Sequence, residues 1–418
     1  MIPHNRRSSI KILTLTFLPH FTGTLAQCVT GPLAPFLQEA FQITRAQIGL
    51  LTSVQSIGLI AMATVSGSIV ERFGIKFSIF LSQAIAGVCA LLLAYYGTYT
   101  AAVVLFIIIG FAFSIINPAT TKAIIAFFPQ TRRGTAIAIK QSGVPAGVLL
   151  ASLSLPAVAV SFGWEKSMYA VALIVIAGAI AGWYLYGNES SPDRGKARRQ
   201  QSMRDNFKVL FKNRNFLLTS GLQGIFCMVQ FIIRAYLVLY LVEANNYSVL
   251  FAGFTLGLVQ FSGMVSRLLW GLLSDYTFSG KRLPVLQIIG LVTVAGLLGL
   301  AFLKPTTPTW FVWIVACVAG AGAEGFAGTA ILLRAELAGK GLVAVSTGLG
   351  MAIAFWGVLV GPPLFGMIVD MFESYRLAWV LLAVISVAGV VALRLVDEVT
   401  YDTKLEIERN KCTSEVVD

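Results

Sequence analysis

Side chains that can carry a charge lie inside long apolar segments of this chain, and five of them are the candidates for chemistry: His20, Lys140, Arg234, Arg267 and Glu324. Ionisable groups are expensive to place in a membrane interior, so they usually face a cavity and serve a function. Three of the five are basic, whereas a single acid is predicted near the middle of a segment. An excess of buried positive charge favours an anionic ligand, and guanidinium is well shaped for a carboxylate. The pattern therefore predicts a binding site for a small organic anion, with the lysine and the two arginines as ligands.

Two of these side chains, His20 and Glu324, can also gain and lose a proton. A carrier driven by protons needs at least one interior group of this kind, and arginine does not serve because it stays protonated. We expect Glu324 to be the coupling group, with His20 as the second candidate. Two structural interpretations stay open beside these. Arg234 and Glu324 could form an ion pair that only stabilises the fold, and His20 could be a hydrogen-bonded interior residue.

Uncharged polar side chains recur at matching places in the two halves of the chain. Gln223 and Gln230 are seven residues apart, which places them on one face of a helix. His20 and Gln27 have the same separation, 203 residues earlier. Asn117 precedes the central glutamate by 207 residues, so it is the equivalent residue of the first half. We expect Gln27, Gln230 and Asn117 to line the same cavity as the charged groups.

The elements that would position these groups are twelve apolar runs. Hydrophobic residues make up 57% of the 418 residues and charged residues only 12%, whereas ordinary globular domains carry about 25% charged residues. Runs of about 20 apolar residues are long enough to cross a bilayer as a helix. The sequence therefore predicts an all-α integral membrane protein, with twelve transmembrane helices in two pseudo-symmetric halves of six. The runs lie at roughly 12–36, 47–70, 77–96, 101–127, 135–160, 167–186, 216–242, 250–273, 284–303, 309–333, 345–369 and 376–396.

The basic residues decide which way these helices face. Most of the 31 Lys and Arg, Arg334 and Arg394 among them, lie in segments that share one side of the predicted topology. This asymmetry places both termini in the cytoplasm and makes nucleic-acid binding a poor explanation for the net charge of +12. Residues 203–212 fit either a short helix on the membrane surface or a solvated segment. The predicted domains are a six-helix half at 1–186, a basic cytoplasmic linker at 187–215, a second six-helix half at 216–396 and a cytoplasmic tail at 397–418.

A short charged turn occurs twice, 204 residues apart. In each copy a glycine ends an apolar run and an acid follows four residues later, with basic residues beyond it. Such a duplication is typical of membrane transporters built from two equivalent halves. The first copy contains Gly67, Glu71, Arg72, Gly74 and Lys76, and the second contains Gly271 and Asp275.

These turns resemble the signature loops of the major facilitator superfamily, and the resemblance covers nearly the whole chain. The glycine-rich stretches 141–147 and 357–366 are similar to helices 5 and 11 of its members. The resemblance implies a carrier that works by alternating access, with a cavity lined mainly by helices 1, 4, 7 and 10. It also implies that the turns clamp the cytoplasmic side when the cavity opens outward, and that Glu71 and Asp275 could then each cap a helix of the opposite half.

One arginine carries a further resemblance. Arg267 stands four residues before Gly271, as does a carboxylate-binding arginine in monocarboxylate and oxalate/formate transporters. The acid found one turn earlier in monocarboxylate carriers is Gly263 here. Helices 5 and 8 are neighbours across the two halves in this family, so Lys140 and Arg267 are expected to converge. A structural role, in which Arg267 pairs with Asp275 or with helix ends, stays open.

The functional prediction is a secondary transporter for a small organic anion, with carboxylates as the first choice, driven by protons or by exchange. It would act as a monomer in a bacterial inner membrane, and its partners would be the bilayer, the anion and a proton or counter-substrate. The alternatives are an efflux carrier for amphipathic drugs or metabolites, and a transport-dead sensor of the same fold. We expect no enzymatic activity, cofactor or metal, because the sequence shows no metal-ligand cluster, nucleotide-binding loop or nucleophilic triad.

Overall fold

The computed structural model describes residues 6–62, 65–186, 203–278, 281–338 and 342–397, and within these ranges the chain forms helices and no strand. Each apolar run predicted from the sequence coincides with one or two helices. The predicted tail, from residue 398 on, and most of the predicted linker lie outside the described residues. The helices are α1 (Arg6–Gln27), α2 (Ala34–Phe41), α3 (Arg45–Met62), α4 (Ser66–Phe73), α5 (Ile75–Tyr96), α6 (Tyr99–Phe127), α7 (Gln130–Phe162), α8 (Trp164–Tyr186), α9 (Met203–Lys212), α10 (Arg214–Glu243), α11 (Val249–Leu272), α12 (Leu283–Ala301), α13 (Thr309–Ala323), α14 (Ala327–Ala338), α15 (Val343–Ala354), α16 (Trp356–Phe372) and α17 (Tyr375–Ala392).

Most of these helices are suited to a membrane. Within the described residues, ten helical segments are long and apolar enough to cross one, and α3 with α4, bent by 61°, makes an eleventh if the pair is counted as one span. Two of the ten run across a break, from α13 into α14 and from α15 into α16. The 22-residue α1 coincides with the first predicted run but is less apolar, because it carries Lys11, His20 and four threonines. The chain is a multi-pass membrane protein, and the count of twelve spans stays a prediction.

Short turns join consecutive helices, and a few residues determine them. Between α5 and α6, Gly97 has a φ of +54°, a conformation that glycine adopts without strain. Thr98 then caps α6 by accepting a hydrogen bond from the Ala101 N–H at 3.4 Å. Ser248 and Ser374 cap α11 and α17 in the same way. Turns as short as these place consecutive helices side by side and antiparallel.

The two ends of the helix bundle differ in how closely the halves approach. At one end α3 packs against α16 and α7 against α11, so that helices of the first half contact helices of the second. Gly49, Gly253 and Gly366 lie at these contacts, where a Cβ on each would overlap a backbone oxygen of the opposite half. This is the end that the sequence predicts to face outside, and we call it the outer end. Its turns include 42–44, 97–98, 244–248, 302–308 and 373–374, and the opposite end is the inner end.

The short helix α9 lies within the predicted linker. Leu210 is fully buried and packs with Phe216 of α10 and Ala338 of α14, while Phe211 beside it is exposed. Of the two interpretations of residues 203–212, the structure therefore supports a helix, and it packs against the second half of the chain.

Candidate substrate-binding site

Glu324 is the centre of a hydrogen-bonded cluster in the second half of the chain, and only 1% of it is exposed. Arg234 grips both carboxylate oxygens, with Nε 2.6 Å from Oε1 and Nη2 2.6 Å from Oε2. Gln230 donates to Oε2 at 2.6 Å, and Gln260 donates to Oε1 at 3.0 Å. Arg267 Nη2 lies 3.4 Å from Oε2. Two guanidinium groups therefore share one carboxylate, which leaves one positive charge in excess.

This cluster forms where a membrane span is broken, between α13 and α14. A break leaves carbonyl groups at the end of α13 short of helical partners, and side chains of α11 donate to two of them. Arg267 Nε is 2.8 Å from the Glu324 carbonyl oxygen, and Trp270 Nε1 is 2.9 Å from that of Ala321. Gly263 of α11 makes room, because a Cβ there would overlap the Cβ of Glu324. The residue that departs from the pattern of monocarboxylate carriers thus faces an acid supplied by another helix.

A second cluster lies in the first half, around Lys140 of α7, which is 1% exposed. Its Nζ donates to Asn117 Oδ1 at 2.8 Å, to Thr120 Oγ1 at 3.1 Å and to Thr121 Oγ1 at 2.6 Å, all on α6. His20 Nε2 of α1 is 3.1 Å from the same Thr120 hydroxyl. These partners are neutral, and in the described part of the chain no carboxylate lies within 4 Å of the lysine. The charge of Lys140 is therefore solvated by polar groups but not neutralised.

The predicted site residues thus fall into two groups, one in each half. The structure does not bring Lys140 and Arg267 into contact, because the lysine bonds to α6 and the arginine bonds at the helix break. Gln27 of α1 is 8% exposed, and its carbonyl accepts a hydrogen bond from Gln55 Nε2 at 2.7 Å. The first group contains His20, Asn117 and Lys140, and the second contains Gln230, Arg234, Glu324 and Arg267.

The charged turns at the inner end have open surroundings. A Cβ added to Gly67, Gly74 or Gly271 would meet no atom within 4 Å. Lys76 lies over the ring of Trp183, 4.2 Å from its centroid, within the same half. The glycines of these turns are therefore not packed against the opposite half.

The acids of these turns do not cap a helix of the opposite half in this structure, and the clamp that the resemblance implies for a cavity open to the outside stays a prediction. Glu71 and Arg72 are exposed, and no ion pair of Glu71 occurs among the described residues. Asp275 pairs with Arg282 of its own half at 2.6 Å. The physical reason is that the halves meet at the outer end, so the inner turns are too far from their expected partners.

Capping between the halves occurs at the outer end instead. Asp370 of α16 accepts hydrogen bonds from the backbone N–H groups of Arg45 at 3.2 Å and Ala46 at 2.8 Å, the first residues of α3. A carboxylate is favourable there because a helix N-terminus carries partial positive charge. The Arg45 side chain also contacts Glu243 of α10 at 2.8 Å, and Tyr375 donates to Glu243 at 2.7 Å. We call these residues, apart from Ala46, the outer clamp.

The sequence prediction missed the outer clamp, although one signal was present. Asp370 follows Gly366 by four residues, which is the spacing of Gly67 with Glu71 and of Gly271 with Asp275. The chain therefore contains this glycine–acid spacing at both ends of the bundle.

A cavity of about 430 Å³ opens at the outer end, between α2 and the end of α10. Its lining includes Gln38, Glu39 and Glu243, and it includes none of the predicted substrate ligands. The two buried clusters, and not this cavity, are the candidate substrate site.

Known proteins of similar sequence are transporters. The family model described as "Major Facilitator Superfamily" matches residues 16–354. The hexuronate transporter of Bacillus subtilis is 22% identical over 278 residues, which cover 65% of this chain and 66% of that protein. The probable sulfoacetate transporter SauU of Cupriavidus necator is 25% identical over 308 residues, which cover 69% of this chain and 70% of that protein.

Solved structures of similar fold are also transporters. A bacterial homologue of the human lysosomal transporter Spinster, in an inward-facing and unoccupied conformation, superposes with a TM-score of 0.80 at 16% identity, covering 94% of this chain and 97% of that one. A D-xylose–proton symporter gives a TM-score of 0.77 at 16% identity, covering 94% and 98%. Likeness at such identities shows the fold alone.

Proposed function

Because the chain belongs to the major facilitator superfamily, we propose that it is a secondary active transporter for a small organic anion, a carboxylate above all, and that it works by alternating access. One observation carries this proposal: the buried polar clusters hold more positive than negative charge. Lys140, Arg234 and Arg267 stand against Glu324 alone. A bound carboxylate would supply the missing negative charge.

Lys140 is the strongest reason to expect an anion. A buried cation without a counter-ion is destabilising, because neutral hydrogen-bond partners only partly replace its hydration. Asn117 and two threonines orient the ammonium group, and Asn117 itself is exposed. A carboxylate that approached the Asn117 side of the cluster would find a lysine already held in place.

Arg267 is the second ligand that we assign. Arg234 has its Nε and Nη2 engaged with Glu324, which suits it to orient the acid. Arg267 makes the longest contact with the acid, 3.4 Å, and its side chain is 20% exposed against 8% for Arg234. Its guanidinium is therefore the easier of the two for a substrate carboxylate to reach. Gln230 is engaged with Glu324, so we assign it, like Arg234, to positioning the acid.

A carboxylate that takes Arg267 would compete with Glu324 for it. The internal acid would lose one of its two cations and so would take up a proton more readily. Protonation of Glu324 would in this way be linked to occupancy of the site, as proton coupling requires. His20, which shares the Thr120 hydroxyl with Lys140, is the second candidate for the coupled proton.

The relatives support the choice of substrate class. A hexuronate and sulfoacetate are both organic anions, and the proteins named for them are bacterial. The proposal therefore includes a bacterial inner membrane as the location. It also takes a monomer as the working unit.

The experiment is flux into proteoliposomes, with labelled D-glucuronate and sulfoacetate as probes. We expect saturable uptake that other carboxylates compete with and that a lipophilic cation, tetraphenylphosphonium, does not. Arg267→Gln should weaken binding by about 2–5 kcal/mol, because truncating a buried charged ligand typically has an effect of that size. Lys140→Gln should act in the same direction, and Lys122→Gln is its matched control because Lys122 is exposed on α6.

Two results would contradict the proposal. Competition by the cation but not by carboxylates would favour an efflux carrier for amphipathic compounds. Binding of the anions without any flux would favour a sensor of the same fold.

A further inference from the structure

Arg334 of α14 is buried in an unusual way. Only 1% of it is exposed, and its Nε, Nη1 and Nη2 all lack a hydrogen-bond partner among the described residues. Among the described residues, the other buried arginine, Arg234, is paired with Glu324. The sequence placed Arg334 with the cytoplasmic basic residues, so its burial is a finding of the structure.

Two further unpartnered polar atoms lie on α10, which packs against α14. The Ser220 hydroxyl and the Gln223 carbonyl oxygen are buried and lack hydrogen-bond partners in the described part of the chain. Gly350 of α15 lies between Arg334 and Ser220, because a Cβ there would be 2.6 Å from Arg334 Nη1 and 3.0 Å from Ser220 Oγ. Gln223 reaches the sulfur of the adjacent Met351 at 3.7 Å. Three helices thus bring the Arg334 guanidinium and the Ser220 hydroxyl close together, and Gln223 lies one turn further along α10, against the residue that follows Gly350.

The chemistry of this group points to an anion. Guanidinium presents five N–H donors in a planar fork that matches a carboxylate, and a hydroxyl adds another donor. Leaving such donors buried and unpaired is unfavourable, and so is a buried charge without a counter-ion. The acid closest in sequence on α14, Glu336, lies 3.5 Å from Arg282 instead. An anion from solution would pair with these donors and supply the counter-charge. Gln223 can add a donor through its amide NH₂ group, which lies 3.7 Å from the sulfur of Met351, a weak acceptor.

The position of this group relates it to the central site. Ser220 lies on α10, fourteen residues before Arg234, or about 21 Å of helix rise towards the inner end. Gln223 shares the helix face of Gln230 and Arg234. Ser220 and Gln223 therefore share α10 with Gln230 and Arg234 of the central cluster and lie nearer the inner end.

We propose that Arg334, Ser220 and Gln223 form a second anion-binding subsite, which takes a small carboxylate on the inner side of the central site. Its place on the transport path rests on the proposed function, whereas its anion chemistry does not. An anion moving between the central cluster and the inner end would exchange the Arg267 guanidinium for that of Arg334.

The first test measures thermal stability of the purified full-length protein with D-glucuronate as the probe. The probe should raise the melting temperature of the wild type, because a ligand of the native state stabilises it. Arg334→Gln should melt no lower than the wild type without the anion, because the substitution removes an uncompensated charge. It should gain less from the probe. Arg394→Gln removes an exposed cation from the same end and should behave as the wild type.

The second test measures transport from each face, in vesicles of both orientations. Arg334→Gln should raise the KM for D-glucuronate at the inner face on the order of tenfold and leave the KM at the outer face within about twofold. Arg267→Gln should raise both.

Several outcomes would overturn the subsite. A lower melting temperature of Arg334→Gln with an unchanged gain from the probe would show a purely structural residue. Equal effects on KM at both faces would place Arg334 in the central site. A wild type that anions stabilise without being transported, with that stabilisation lost in Arg334→Gln, would refute the proposed transport function and support the subsite. A wild type that neither D-glucuronate nor sulfoacetate stabilises would refute both.

Discussion

The same glycine–acid spacing occurs at the outer and the inner ends of this protein, but it contacts the opposite half only at the outer end. At the outer end, Gly366 touches the backbone of Arg45, and Asp370 caps α3 of the opposite half. At the inner end, Gly67 and Gly271 have empty surroundings, and the acids that follow them face solvent or pair within their own half. The motif is thus closed at one end and open at the other within one structure.

In this structure the glycine and the acid act together, and only where the halves meet. The glycine lets two backbones approach, and the approach brings the acid to the N-terminus of a helix in the other half. An acid of this kind therefore stabilises one conformation and contributes little to the other. In a carrier that alternates, these contacts should form at the inner end when they are lost at the outer end.

The largest effect is expected for a substitution of Glu324, which lies between the two ends of the bundle. Glu324→Gln leaves Arg234 and Arg267 without their carboxylate, and losing one partner of a buried ion pair has an effect of about 3–5 kcal/mol. If this acid links protonation to alternation, the variant should lose uptake driven by a pH gradient and keep exchange of substrate for substrate. The measurement is uptake and exchange in the same proteoliposomes. Wild-type uptake that ignores an imposed pH gradient would leave Glu324 with a structural role.

The next effect is expected at Gly366, where closure of the outer end depends on the missing side chain. A Cβ there would overlap the Arg45 carbonyl and the Tyr236 hydroxyl, so Gly366→Ala should destabilise the closed outer end by about 1–3 kcal/mol. Cysteine probes near the outer end should become more reactive. Gly271→Ala is the matched control for this state, because its surroundings are empty. Equal probe reactivity in the two variants would contradict the comparison.

A smaller effect is expected at Asp370. Asp370→Asn keeps the size of the side chain but removes the charge that caps α3 and faces Arg45, a pair that is about a quarter to a third exposed. Solvent screens such pairs, so the change should be about 1 kcal/mol. It should raise outer accessibility in the same assay, and Glu39→Gln, an exposed acid near the same end, should not. An unchanged outer accessibility in Asp370→Asn would separate the acid from closure.

The smallest effect is expected at the inner end, for Glu71→Gln and Asp275→Asn. Caps of this kind contribute about 0.3–1 kcal/mol, and here they act only after the inner end has closed. Both variants should increase labelling of inner cysteine probes and slow transport, with little loss of protein from the membrane. If both left labelling and flux unchanged, the inner turns would not be the counterpart of the outer clamp.

Much of the central site follows from the sequence, because a charge in an apolar run has few places to go. Arg234, Gln230 and Glu324 were predicted to face the same cavity, and in the structure Gln230 and Arg234 both donate hydrogen bonds to Glu324. The glycines around residue 324 indicated space, but they did not predict that the helix itself breaks there. Whether a flexible run bends or breaks depends on donors from another helix, here Arg267 and Trp270 of α11.

Residues near helix ends were harder to predict. Arg334 lies close enough to a helix end that its side chain could reach water or remain buried, and only the rotation of α14 against α10 and α15 decides between them. The sequence does not single out Asp370, because acids at helix ends are common. Its role appears only when α3 packs beside it. Such roles come from contacts between distant segments, which the local pattern of residue types does not contain.

The glycine contacts at the outer end have a consequence for the membrane as an electrical barrier. Gly49 and Gly366, together with Gly31 beside the Arg234 carbonyl, bring backbone against backbone between the halves, with the Tyr236 hydroxyl beside the first two. In a carrier that works as proposed, a seam of this kind would leave little room for a file of water molecules. It would then keep protons and small ions from leaking while the opposite end is open. A larger residue at any of the three positions would threaten that insulation before it threatened the fold.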